Sequence, residues 1–170
     1  KESFPNHTTY FICYRSFGKS TGIATEENLF KDALFLFDQI SKKHQSVSIV
    51  GRSLGSGVAA HVAENRTVEN LILVTPYDSI QNIAKKRYWM LPISLLLSDK
   101  FESWKKAKTI TAPTLIFIAE TDMVIPRPHT ENLIQHFQKT TPKVVTINNT
   151  NHGTIINSTK YKDSLKSMLY

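Results

Sequence analysis

The sequence predicts an α/β fold, a mostly parallel sheet with flanking helices, on three observations. Short apolar runs of strand length alternate with stretches of helical periodicity along most of the 170 residues, the pattern left by strand–helix–strand crossovers. A glycine-rich pentapeptide, Gly51-Arg52-Ser53-Leu54-Gly55, joins one such strand directly to a helix-compatible stretch. The length, with 41% of residues hydrophobic, suits one compact domain over 1–170 that can bury a core.

The elements follow in order. A first strand is expected over 9–14. A helix over 26–43 shows Leu29, Phe30, Ala33, Leu34, Phe37 and Ile40 at helical spacing, with Thr25 placed to cap it. A strand over 46–50 leads into the pentapeptide, and a second helix follows Ser53. Strands at 70–75, 114–120 and 143–147 complete the sheet, with helices over 128–138 and from 158 to the end. The stretch 76–112 breaks the rhythm. Its helical fragments and apolar centre, Tyr88-Trp89-Met90-Leu91-Pro92-Ile93, read as a short lid-like insertion or as an extra layer of core.

Charge and cysteine usage remove several function classes. The net charge of +7 would attract polyanions, but the basic clusters Lys85-Lys86-Arg87 and Lys105-Lys106 are short and lie among Trp, Tyr and Leu. They read as solvated helix faces, with an anionic membrane surface or anionic substrate as the alternative; nucleic acid is not an expected partner. The longest apolar run, Tyr88 to Leu97, is broken by Pro92 and Ser94, well short of the roughly 18 residues of a membrane span. The single cysteine, Cys13, cannot form an internal disulfide and reads as a buried strand residue. No signal peptide is visible. The chain opens on Lys1 rather than Met, so an upstream segment, with any membrane anchor it carries, is expected to lie outside it. Oligomeric state is not indicated.

The chemistry is carried by three residues at strand ends. A sharp strand-to-helix turn lifts a serine hydroxyl above a sheet, and small neighbours such as Gly51 and Gly55 let the two backbones approach. The helix start beside Ser53 favours negative charge. Asp122 follows the strand Thr114–Glu120 and His152 follows Val144–Ile147, so both fall at C-terminal strand ends, where open parallel sheets build their sites. The order serine, acid, histidine is the one expected for this topology. His152 would take the Ser53 proton, Asp122 would fix the imidazole, and the Leu54 N–H would be one oxyanion donor. Each residue also has an ordinary reading as turn or loop polarity, and Asp78, after the strand ending at Thr75, is a rival acid. His7, His44, His61, His129 and His136 read as surface residues without metal-site spacing, and neither metal nor cofactor is expected.

Five blocks, Tyr14 to Gly22, Gly51 to Gly57, Thr75 to Ser79, Ala112-Pro113-Thr114 with its strand and Asp122, and Asn151-His152-Gly153, together resemble the C-terminal two-thirds of an α/β-hydrolase of the alpha/beta hydrolase domain-containing serine hydrolase type. The resemblance implies an α/β-hydrolase-like fold lacking the N-terminal strands, with Ser53 as nucleophile, Asp122 as acid, His152 as base, Leu54 as oxyanion donor and no cofactor. It also implies a small-molecule or lipid acyl substrate, an ester, thioester or amide; the apolar run Tyr88 to Leu97 suits an acyl chain or packing of the insertion on the body. Two departures accompany it. Ser16 stands where the family block usually has glycine, and no His-Gly strand with its glycine-rich loop precedes Tyr14; Lys1 to His7 resembles the tail of the helix that follows that loop. Losing that loop's oxyanion donor costs roughly 3 kcal/mol. The missing strand belongs between the strand at 9–14 and the one before Ser53. Either those two close together, or the chain is a portion of a longer polypeptide, the favoured expectation. A catalytically silent relic that binds a ligand or partner is the alternative function.

Overall fold

The computed structural model describes residues 6–170. Its elements are α1 (Glu26–Ser41), β1 (Ile49–Arg52), α2 (Leu54–Asn65), β2 (Leu71–Val74), α3 (Ile80–Arg87), α4 (Ile93–Leu96), α5 (Ser103–Ala107), β3 (Thr114–Ala119), α6 (Arg127–Gln135), β4 (Lys143–Ile147) and α7 (Thr159–Leu169), with a 3₁₀ turn at Ile155–Asn157. The four strands lie in the order β1-β2-β3-β4, all parallel. Gly51 pairs with Leu73, Leu73 with Ile116 and Ile116 with Val144. Because every strand runs the same way, the residues after β1, β2, β3 and β4 all emerge at one edge of the sheet.

Side-chain alternation along the two central strands divides the core. Leu71, Leu73, Ile116 and Ile118 face a cluster that includes Leu29, Ala33 and Phe37 of α1 and Val58, Ala59 and Val62 of α2. Ile72, Val74, Leu115 and Phe117 face the opposite side, where Leu165 of α7, Ile155 and the partly buried Tyr161 cover them. β2 and β3 are buried along their whole length, as strands covered by helices on both faces must be. α1 begins where the Thr25 side chain accepts from the Asn28 N–H at 3.2 Å, and Glu26 and Glu27 occupy its positive end. Paired hydrogen bonds from Arg66 to Asp38 (2.6 and 2.9 Å) tie the end of α2 to α1.

The excursion from 76 to 112 has core at its two ends. Tyr77, Asp78 and Ser79 are buried at the start, as are Phe101, Ser103, Ala107 and Ile110 towards the return, whereas Tyr88 to Leu91 are exposed.

The strand expected over 9–14 does not form. A strand persists only through a ladder, and this segment lies against α1 instead of beside β1: Tyr10, Phe11 and Ile12 share a surface hollow with Leu36 and Ile40, and Tyr10 Oη meets His44 Nε2 at 3.0 Å. The flanking strands therefore do not close together. Among the described residues β1 is an edge strand, with Val50 half exposed. Cys13, expected to be buried, is exposed for the same reason. The helix-tail expectation for the opening residues lies, for 1–5, outside the described residues. Ser16 adopts φ 62°, the left-handed conformation that glycine serves most easily. Its hydroxyl compensates by donating to the Gly22 carbonyl (2.7 Å) and accepting from the Ala24 N–H (3.2 Å). Arg15 then anchors the loop to α1 through two bonds to Asp32 (2.6 and 2.7 Å), holding that carboxyl below its ordinary value.

Candidate active site

The strand-to-helix turn at Ser53 is built by close approach. A Cβ on Gly51 would overlap the Gly55 carbonyl and the Ala59 methyl, so only glycine lets β1 pass this near α2. Ser53 sits between them at φ 51°, ψ −123°, a conformation rare for a residue with a Cβ, and its N–H donates to the Val74 carbonyl at 3.0 Å. It occupies the N-cap position of α2, yet its side chain makes no capping bond. The hydroxyl points to His152 instead, with Oγ 3.0 Å from Nε2.

His152 arrives from the loop after β4. Asn149 turns the chain at φ 57°, where its N–H donates to Glu120 (2.7 Å), and Asn151 Oδ1 caps the N–H groups of Gly153 and Thr154. Arg52, inside the pentapeptide, donates to the His152 carbonyl at 2.7 Å and clamps this loop to the elbow. The second imidazole nitrogen, Nδ1, lies 2.8 Å from Asp122 Oδ2. A carboxylate only accepts, so Nδ1 carries the proton and Nε2 presents its lone pair to the Ser53 hydroxyl. The other oxygen, Asp122 Oδ1, accepts from the N–H groups of Val124 (2.9 Å) and Ile125 (2.8 Å). The Asp122 side chain is 4% exposed and that of His152 17%, so the acid is dry while the imidazole can be reached.

Ser53, His152 and Asp122 thus form one hydrogen-bonded chain at the C-terminal sheet edge. Leu54 is the first residue of α2, and a helix's first N–H groups have no partner one turn back. Its carbonyl accepts from the Tyr77 hydroxyl at 3.2 Å. Tyr77 is fully buried, and burial pushes its phenol well above the ordinary value.

Asp78 is engaged elsewhere. Its Oδ1 accepts from His129 Nδ1 (2.9 Å) and the Ser79 N–H (2.7 Å), and its Oδ2 accepts from the side-chain amides of Asn82 and Asn132 (both 2.8 Å). This network joins the start of α3 to α6. His129 was expected at the surface but is buried, because α6 packs it over the turn after β2; its Nε2 has no hydrogen-bond partner among the described residues. His61 is also more than a surface residue. It stacks on Phe30 with ring centroids 4.0 Å apart, and desolvation, helped by Lys106 and Arg66, lowers its pKa to about 4. Sequence reasoning missed the Arg52 clamp and the Asp78–His129 pair. The pentapeptide and the Thr75–Ser79 block drew attention to the right segments, but nothing local to them names their distant partners. No group of residues suited to holding a metal occurs among the described residues.

Comparison with known proteins bears on the whole arrangement. The family described as Serine hydrolase (FSH1) matches residues 6–154, a span that contains Ser53, Asp122 and His152. An uncharacterized protein of Mycobacterium tuberculosis is 29% identical over 125 residues, covering 71% of this chain and 44% of that protein. Lysophosphatidylserine lipase ABHD12 of Xenopus tropicalis is 35% identical over 133 residues, covering 66% of this chain and 34% of the lipase. The chain therefore spans between 34% and 44% of the length of these two relatives. Among solved structures, MGS-M2, an alpha/beta hydrolase enzyme from a deep-sea metagenome library, superposes with a TM-score of 0.69 at 16% identity, over 90% of this chain and 76% of that one.

Proposed function

We propose, from the premise that this chain belongs to the serine hydrolase (FSH1) family and is an α/β-hydrolase, that it cleaves an acyl ester, thioester or amide through a covalent intermediate on Ser53. The observation that carries the reading is the continuous chain from Ser53 Oγ through His152 to Asp122, at 3.0 and 2.8 Å. His152 Nε2 takes the hydroxyl proton as Oγ bonds to the acyl carbon, and the imidazolium returns that proton to the leaving group. Asp122 holds the tautomer and stabilises the imidazolium. The Leu54 N–H, at the positive end of α2, donates to the tetrahedral oxyanion. Water then attacks the acyl-enzyme with His152 as base, restoring Ser53.

The favoured substrate is a lipid-like acyl ester. The support is the name of a relative, a lysophosphatidylserine lipase, together with the exposed apolar stretch Tyr88 to Leu91, which suits a long-chain substrate. The alternative is a catalytically silent relic that binds a ligand or partner. An assembled triad argues against it, because a binding module has no use for Asp122 and His152 in that register with Ser53.

Hydrolysis of p-nitrophenyl esters of increasing chain length tests the reading. Asp122→Asn preserves the shape of the site but lets the imidazole adopt the wrong tautomer, so kcat is expected to fall by about ten-thousand-fold with the fold intact. A variant retaining more than a tenth of the activity would refute the assignment of Asp122.

A further inference from the structure

The excursion between β2 and β3 presents a surface that takes no part in the Ser53–His152–Asp122 hydrogen-bonded chain. From 79 to 98 the sequence contains three cationic residues, Lys85, Lys86 and Arg87, and no acidic one. All three are exposed, in the last turn of α3. The chain then displays Trp89 and Met90 at 79% and 78% exposure, and α4 adds Leu95 and Leu96 at 86% and 65%. Ile93 is the anchor of α4, only 8% exposed, so folding accounts for that residue and leaves the others facing water.

The carboxylates on either side of 79–98 do not neutralise its charge. Asp78 is turned inward to His129, Asn82 and Asn132, and Asp99 accepts from the Glu26 N–H at the start of α1 (2.9 Å). The result is a set of exposed apolar side chains beside an uncompensated basic fringe, on a chain of net charge +7. The excursion leaves the sheet at the edge that carries Ser53. No helix among the described residues is long and apolar enough to cross a membrane.

We infer that this surface docks on an anionic lipid bilayer. Trp89, Met90, Leu95 and Leu96 enter the boundary between headgroups and acyl chains, while Lys85, Lys86 and Arg87 keep their charges at headgroup level. Indole rings favour that depth, and each cation near an anionic leaflet contributes attraction that salt screens. The uncompensated cations select a bilayer over an apolar protein groove, which would have to bury them without partners.

Sedimentation of the 170-residue chain, carrying Ser53→Ala, with phosphatidylcholine vesicles with and without phosphatidylglycerol tests this. Binding is read without turnover, so its failure and the failure of the hydrolase reading are separate results. Partition is expected to be at least tenfold stronger on the anionic vesicles and to weaken as salt rises. Lys85→Gln, Lys86→Gln and Arg87→Gln together should reduce it by on the order of a hundredfold. Trp89→Ser with Leu95→Ser should reduce it at least tenfold with an unchanged far-ultraviolet spectrum. In a Trp104→Phe background, Trp89 emission should shift to the blue on the anionic vesicles. Equal partition onto both vesicle types, or no loss in the Trp89 and Leu95 variant, would overturn the proposal. So would a dimer in solution that the same variant dissolves, which would make a second copy the occupant.

Discussion

At Ser53 two requirements of the backbone and the side chain separate. A serine at a helix N-cap ordinarily accepts from the first free N–H groups; here the hydroxyl lies 3.0 Å from an imidazole and the turn holds φ at 51°. That costs of order 1–3 kcal/mol in a residue with a Cβ, and it persists because the packing of Gly51 on Gly55 and Ala59 over-determines it. Asp78 has the opposite character, an acid whose two oxygens are both spent on structure. Replacing it with Ala leaves the amides of Asn82 and Asn132 and the imidazole of His129 without an acceptor. Asp78→Ala should lower unfolding free energy by about 3 kcal/mol in urea titrations, while the folded fraction still reacts at Ser53. An Asp78→Ala protein that folds at wild-type stability but is catalytically dead would make Asp78 the acid.

Between elements, the contacts that position the site are short-range overlaps and one titratable stack. A Cβ at Gly57 would collide with the Tyr77 hydroxyl, as one at Gly51 would with the start of α2. Gly51→Ala should therefore cost about 2 kcal/mol or more and misplace Ser53, which thermal melts and ester hydrolysis would register together. The His61–Phe30 stack between α1 and α2 predicts a pH dependence. Its folded pKa, lowered to about 4 by desolvation first and then by Lys106 and Arg66, lies below the ordinary 6.5. The unfolded chain thus takes the proton first, so this contribution is full above pH 6.5 and is lost as pH falls through about 4. For a partly exposed ring it amounts to roughly 1 kcal/mol after screening. His61→Phe keeps the stack and removes the charge. Its Tm should fall less than that of the wild type between pH 7 and about 4.5; equal falls would remove His61 as the cause.

Across the whole molecule, what could be read from the sequence was what the chain decides locally. Gly51, Ser53 and Gly55 encode their turn through backbone contacts within a few residues. Asp122 and His152 were legible because each follows an apolar strand, and parallel strands deliver such residues to one edge. The strand at 9–14 misled because pairing is a property of two segments: Phe11 and Ile12 have strand character, but α1 offers them Leu36 and Ile40, and among the described residues β1 stays an edge strand. His129 was misplaced for a similar reason, since its burial depends on how α6 crosses a turn some 50 residues earlier. The alternation of core residues along β2 and β3, and their cover by α1, α2 and α7, gives the sheet edge the rigidity on which the Ser53–His152–Asp122 geometry rests.

Intact-mass measurement after treatment with a fluorophosphonate tests that geometry most directly, because the probe forms a stable bond only with a serine whose proton a base removes. One adduct on the wild-type chain, absent from a folded Ser53→Ala variant, is the expected result. An adduct that survives in Ser53→Ala, or a wild-type chain that is folded by circular dichroism yet takes up no probe, would contradict the assignment of Ser53 as an activated nucleophile.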